Sequence, residues 1–118
     1  MRVVGWSALV ALLVAAAPAC GQPAGNSESV QAGHKLAILV CANCHVAAPD
    51  QPIEPILRPP AASFASIAQR PSVDEAWLAN FLKTTHRGLD EPNGMPNPQL
   101  LDVQIKQISD YLLSLRKN

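Results

Sequence analysis

The chain has 118 residues, nine Lys or Arg against nine Asp or Glu, and only 4% aromatic side chains. That length allows one small domain with a modest core. The charge balance argues against a protein drawn by long-range attraction to nucleic acid or to an acidic partner.

The first nineteen residues read as a secretory signal peptide: Arg2, an apolar run from Val3 to Ala17, and the small-residue ending Ala17-Pro18-Ala19. The run is shorter than the ~20 residues a bilayer-spanning helix needs, so a permanent span is the weaker reading. Cys20 follows at once, where bacterial lipoproteins carry the cysteine that receives lipid. Residues 17–20 fit a lipobox only loosely and fit an ordinary Ala-x-Ala cleavage site equally well. Cys20 is therefore read either as a stable acyl anchor or as a free N-terminal thiol. Removing 19 of 118 residues leaves 99, and losing Arg2 leaves eight positive charges against nine negative, a net of −1.

Gly21 to Ser29, rich in Gly, Pro, Asn and Ser, reads as a flexible lead, so 20–29 is expected to be a linker and 30–118 the domain. A first helix is expected from near Ser29, capped by Ser27 or Ser29 and running up to Cys41. Gly33, Leu36, Ala37 and Val40 share one face of it. A glycine inside a helix costs about 1 kcal/mol relative to alanine. Close approach of another helix would explain Gly33.

Cys41-Ala42-Asn43-Cys44-His45 follows, and Cys-x-x-Cys-His is the signature of covalent c-type haem attachment. Each thiol adds to a vinyl group on one edge of the macrocycle, and the next residue brings an imidazole to the iron. Three other readings compete. Zinc needs four ligands, and the His-x(3–5)-His half of the usual pattern is missing. A thioredoxin-like redox pair should follow a strand, and no period-two alternation precedes Cys41. A structural disulfide leaves His45 to chance. Export agrees with haem attachment, and a porphyrin would supply the bulk that so few aromatics cannot. The haem-free chain is expected to be largely unfolded.

Val46 to Pro60 is broken by five prolines and reads as a loop on the proximal side of the haem, one of whose carbonyls orients His45. Arg58 on it either pairs with a haem propionate or is an exposed loop arginine, the plainer reading. Ala61 to Gln69 reads as a short helix with Phe64 and Ile67 inward. Ser72-Val73-Asp74-Glu75 reads as a capping box opening a further helix, where Trp77 with Phe81 and Leu78 with Leu82 form i,i+4 apolar pairs. Trp77 is read as core packing ahead of a propionate hydrogen bond.

Thr84 to Pro98 is a second proline-broken loop. It holds Met95, the one methionine besides the initiator. A thioether in the stiff segment Gly94-Met95-Pro96-Asn97-Pro98 suits an axial iron ligand, while a lone methionine elsewhere is more often core filler. His86, in the same loop, is the competing ligand. A last helix is expected to open at Asn97-Pro98, with Leu101, Ile105, Ile108, Leu112 and Leu115 as its buried stripe. The first and last helices either cross at Gly33 or merely face the same core.

From about Gly33 to Leu115 the chain resembles a class I c-type cytochrome. The resemblance rests on Cys41-Ala42-Asn43-Cys44-His45, Gly33 ahead of it, Met95-Pro96-Asn97 and the Ile108 to Leu115 helix with Tyr111. It implies an all-α, cytochrome c-like fold with crossed N- and C-terminal helices and long irregular loops. By it Cys41 and Cys44 attach one haem c, His45 and Met95 ligate iron, and Gly33 abuts the last helix near Tyr111. The implied function is one-electron transfer between redox partner proteins in the periplasm or at the membrane surface, not enzymatic catalysis. The alternatives are a cytochrome c subunit of a periplasmic oxidoreductase, or a gas-binding or peroxidatic haem protein with an open distal site. Two departures stand out: alanine at 37 where the family usually has an aromatic residue, and no Gly-Pro at the usual distance after the motif. Docking is expected at uncharged residues near the motif, such as Ala42, Val46 and Ala47.

Overall fold

A computed structural model describes residues 24–84 and 94–117, with side chains from Ser27 onward. The expected signal peptide, Cys20 and His86 lie outside the described residues. Four helices are present: α1 (Ala24–Val40), α2 (Phe64–Ala68), α3 (Glu75–Lys83) and α4 (Asp102–Ser114). Among the described residues the one β-type pairing is an isolated bridge between His45 and Ala61, so the architecture is all-α. No helix among them is long and apolar enough to cross a membrane.

Helix α1 begins at Ala24, five residues before the expected start at Ser29. Ser29 does not cap it. Its hydroxyl donates to Asp110 of α4 at 2.6 Å, a tertiary contact that helps hold this first part of α1 against the fold. At Gly33 the helices come closest, because a Cβ there would overlap the Gln107 carbonyl and lie 2.8 Å from the Tyr111 Cβ. Ala37, one turn on, is fully buried, with half-buried Leu36 packed against the same core.

Helix α4 opens at Asp102, four residues after the expected proline start. Asn97 does cap, but it caps a turn: its Oδ1 accepts from the Gln99 amide at 2.8 Å, and Gln99 sits at φ 51°. That left-handed residue is incompatible with a continuous helix from Pro98. The true N-cap is Leu101, 66% exposed instead of core-facing, whose amide is satisfied by the Gln104 side chain at 2.9 Å. The buried stripe is Ile105, Ile108, Ser109, Tyr111 and Leu112.

Ser63 caps α2 through its hydroxyl, and Asp74, not Ser72, caps α3 by accepting from the Trp77 amide at 2.7 Å. Arg116, just past α4, donates to the carbonyls of Ala68 and Val73, fastening the α2–α3 connection to the end of α4. Gln69 reinforces it by donating to the Leu115 carbonyl at 3.1 Å.

Candidate functional site

The Cys41–His45 segment is a turn wound directly onto α1. The Cys41 amide continues the helical pattern to the Ala37 carbonyl at 2.9 Å, and both Cys44 and His45 donate to the Cys41 carbonyl at 3.1 and 2.9 Å. The downstream chain is laid along this turn: Ile56 donates to Asn43, Ala61 to Cys44 and Phe64 to Val46, all between 2.8 and 3.0 Å.

That alignment brings the Ala62 carbonyl to 2.7 Å from His45 Nδ1. A carbonyl oxygen only accepts, so Nδ1 carries the hydrogen and Nε2 keeps its lone pair. The orienting carbonyl thus lies two residues beyond the expected loop, just past Pro59-Pro60. The imidazole also stands edge-on to Phe64, centroids 5.7 Å apart at 64°.

Behind the motif a glutamine organises the loop. Gln51 Oε1 accepts from the Ala47 and Ala48 amides at 2.7 and 3.2 Å, while its Nε2 donates to the Ile53 carbonyl at 2.7 Å and to that of His45 at 3.4 Å. The Tyr111 hydroxyl donates to the Ala47 carbonyl at 3.0 Å, and His34 meets Asp50 at 2.7 Å. The His34 contact, with Ala47 and Ala48 buried beside it, pins the start of the loop, and the same contact holds the Asp50 carboxyl below the usual carboxylate range. No sequence motif announces Gln51. A glutamine among prolines looks like any other loop residue.

Cys41, Cys44, His45 and Met95 all border one cavity of about 600 Å³, within the span typical of ligand sites. Leu78 and Leu82 of α3 and Ile108 and Leu112 of α4 supply apolar walls. Trp77 and Phe81 stack face to face on the same cavity, 4.8 Å apart and 9° from parallel. Trp77 is 38% exposed, so it forms a cavity wall and not a core residue.

Cys41 and Cys44 are not joined in a disulfide. Burial, helped by the neighbouring Cys44 sulfur, pushes the Cys41 thiol up to about 11. Among the described residues no three His, Cys, Asp or Glu side chains converge to hold a metal ion. The donors gathered here are instead two thiols at vinyl-edge spacing, one imidazole with a free Nε2 and one thioether, in an apolar cavity. This donor set fits a haem.

The expected docking residues near the motif separate. Ala42 and Ala47 are buried at 0% and 1%, because the turn folds both into the core, while Val46 is 43% exposed.

A short helical chain closed around one large apolar cavity, with thiols at its edge, is a protein built on a single bulky prosthetic group. The chain belongs to the cytochrome c family, whose model matches residues 30–116. It is similar to cytochrome c-552 of Bradyrhizobium diazoefficiens, 35% identical over 100 residues that cover 83% of this chain and 88% of the relative. No solved structure matches it. As a class I c-type cytochrome it carries covalently attached haem c and serves electron transfer. Members of the family work with redox partner proteins, are typically exported to the periplasm, and are generally carriers rather than enzymes.

Proposed function

We propose that this protein is a one-electron carrier of a periplasmic or membrane-surface chain, with haem tethered through Cys41 and Cys44 and iron held between His45 and Met95. The observation that carries the reading is the His45 Nδ1 contact with the Ala62 carbonyl at 2.7 Å, beside a cavity that Cys41, Cys44 and Met95 also border. The bound haem supplies Fe(III)/Fe(II) cycling. The chain's own residues decide at what potential it cycles.

The Ala62 carbonyl fixes the tautomer of His45 and makes its Nε2 the donor. Met95 offers a soft thioether, which favours the reduced metal and raises the potential. Apolar walls from α3 and α4 keep water from the iron and act in the same direction. His45 and Met95 would both hold the iron, and a metal held by two side chains in this way would supply electron transfer and not substrate binding. Residues 1–19 serve as the signal peptide, and the mass of the mature N-terminus tells whether Cys20 carries acyl chains.

The test is the distal ligand. Met95→Ala should lose the red iron–sulfur charge-transfer band, lower the potential and take up carbon monoxide readily, while His86→Ala leaves all three nearly unchanged. Loss of the native spectrum in the His86 variant and its retention in the Met95 variant would make the iron bis-histidine and overturn the ligation.

A further inference from the structure

The Ala62 carbonyl holds the ring of His45, but the peptide that carries the ring has to be held as well. Its amide is fixed by the attachment turn, donating to the Cys41 carbonyl at 2.9 Å. Its carbonyl accepts from Gln51 Nε2 at 3.4 Å. The same side chain reaches three further peptides, receiving from the Ala47 and Ala48 amides at 2.7 and 3.2 Å and donating to the Ile53 carbonyl at 2.7 Å. Two donors and two acceptors around one side chain specify a neutral amide, because a carboxylate only accepts and an ammonium only donates. Gln51 is half-buried and both alanines are buried, so losing it would leave their amides unpaired.

The grip is placed to act on His45. Ala47 is held at both ends of its own residue, its amide by Gln51 and its carbonyl by the Tyr111 hydroxyl at 3.0 Å. Between Ala47 and Cys44 lie only His45 and Val46, and the Val46 carbonyl accepts from the Phe64 amide at 3.0 Å. Phe64 belongs to the same segment as Ala62. Movement of the His45 peptide away from Gln51 therefore changes the separation of Nδ1 from the Ala62 carbonyl, a contact of 2.7 Å.

We infer that Gln51 is a positioning residue for the His45 imidazole: its side-chain amide anchors the His45 peptide so that Nδ1 keeps its hydrogen bond to Ala62. The inference rests on iron ligation by His45 as proposed above. A hydrogen bond donated by Nδ1 makes the imidazole a stronger donor through Nε2, and a stronger donor favours ferric over ferrous iron. Gln51 thus keeps the reduction potential below the value that a loosened His45 would give. General loosening of the site acts the opposite way, because water reaching the iron lowers the potential.

The experiment uses the holoprotein. Nitrogen NMR of the isotope-labelled, reduced native protein is read first for axial-imidazole resonances of His45, and their absence overturns the ligation and this inference together. The exchange rate of the Nδ1 hydrogen and the midpoint potential are then measured for native protein, Gln51→Leu and Tyr111→Phe. The tyrosine variant is a control that cuts the tie of the loop to α4 and leaves the His45 carbonyl paired with Gln51. Gln51→Leu should exchange the Nδ1 hydrogen about tenfold faster, the effect of weakening one ordinary hydrogen bond, and its potential should rise. Tyr111→Phe should lose stability with both readings near native. Gln51→Glu keeps the two contacts to the alanine amides and secures the test should the leucine variant fail to load haem. Its Nδ1 hydrogen should also exchange faster, and because its added charge shifts the potential by itself, the exchange rate is the reading that decides there. With His45 on the iron, native exchange in the Gln51 variants, an unmoved or lower potential in Gln51→Leu, or equal shifts in Tyr111→Phe overturn the role of Gln51 alone.

Discussion

Gly33 of α1 and Gln107 of α4 meet backbone to backbone, with no room for a side chain between them. The obstacle is a peptide carbonyl, which cannot swing aside as a flexible side chain can. Gly33→Ala should therefore destabilise the holoprotein by about 1–3 kcal/mol, despite the ~1 kcal/mol that alanine gains over glycine in a helix. Chemical denaturation followed by haem absorbance measures it. An unchanged midpoint would mean that α1 and α4 slide apart freely.

The same helix pair has an acid-sensitive contact. Burial alone would raise the Asp110 pKa, but hydrogen bonds from Lys106 and Ser29, each 2.6 Å, outweigh it and hold the carboxyl below its ordinary range. A folded pKa below the unfolded one gives stability that is fully present above about pH 4 and lost as pH falls through the folded value. Asp110→Asn should lower thermal stability at neutral pH and flatten its decline in acid. Parallel melting profiles for the two proteins from about pH 6 to about pH 3 would count against the contact.

Much of this was legible because the chemistry demanded particular residue types. Cys41, Cys44 and His45 announce their role by spacing, and the helix contact at Gly33 follows from an otherwise costly glycine. The opening of α4 was not legible, because Asn97-Pro98 suits a helix start as well as it suits the turn that Gln99 completes. The Ala62 carbonyl was hidden for a different reason. Every residue has a carbonyl, so only the pairing of 56–64 with the attachment turn selects it. Gln51 gains its place from tertiary geometry alone, and Ala42 looked like a surface residue because alanine carries no sign of its burial.

Ser109 presents the opposite case to Asp110. It is fully buried in α4, and its hydroxyl has no hydrogen-bond partner among the described residues. An unsatisfied buried polar group costs about 1–3 kcal/mol. Ser109→Ala should leave stability unchanged or raise it by up to about 1 kcal/mol, read from the denaturation midpoint. A loss of stability would reveal a hydrogen bond that the hydroxyl makes in solution.

The central claim is that haem is bonded to Cys41 and Cys44 and organises the fold. Mass spectrometry of the denatured, acid-extracted chain tests it most directly, comparing native protein with single Cys41→Ser and Cys44→Ser variants and with the double variant. The native chain should retain the mass of one haem, each single variant should hold haem through one thioether with a weakened fold, and the double variant should be bare, colourless and protease-sensitive. A native chain at the bare polypeptide mass, or a double variant that stays folded and resistant to proteolysis, would contradict the account.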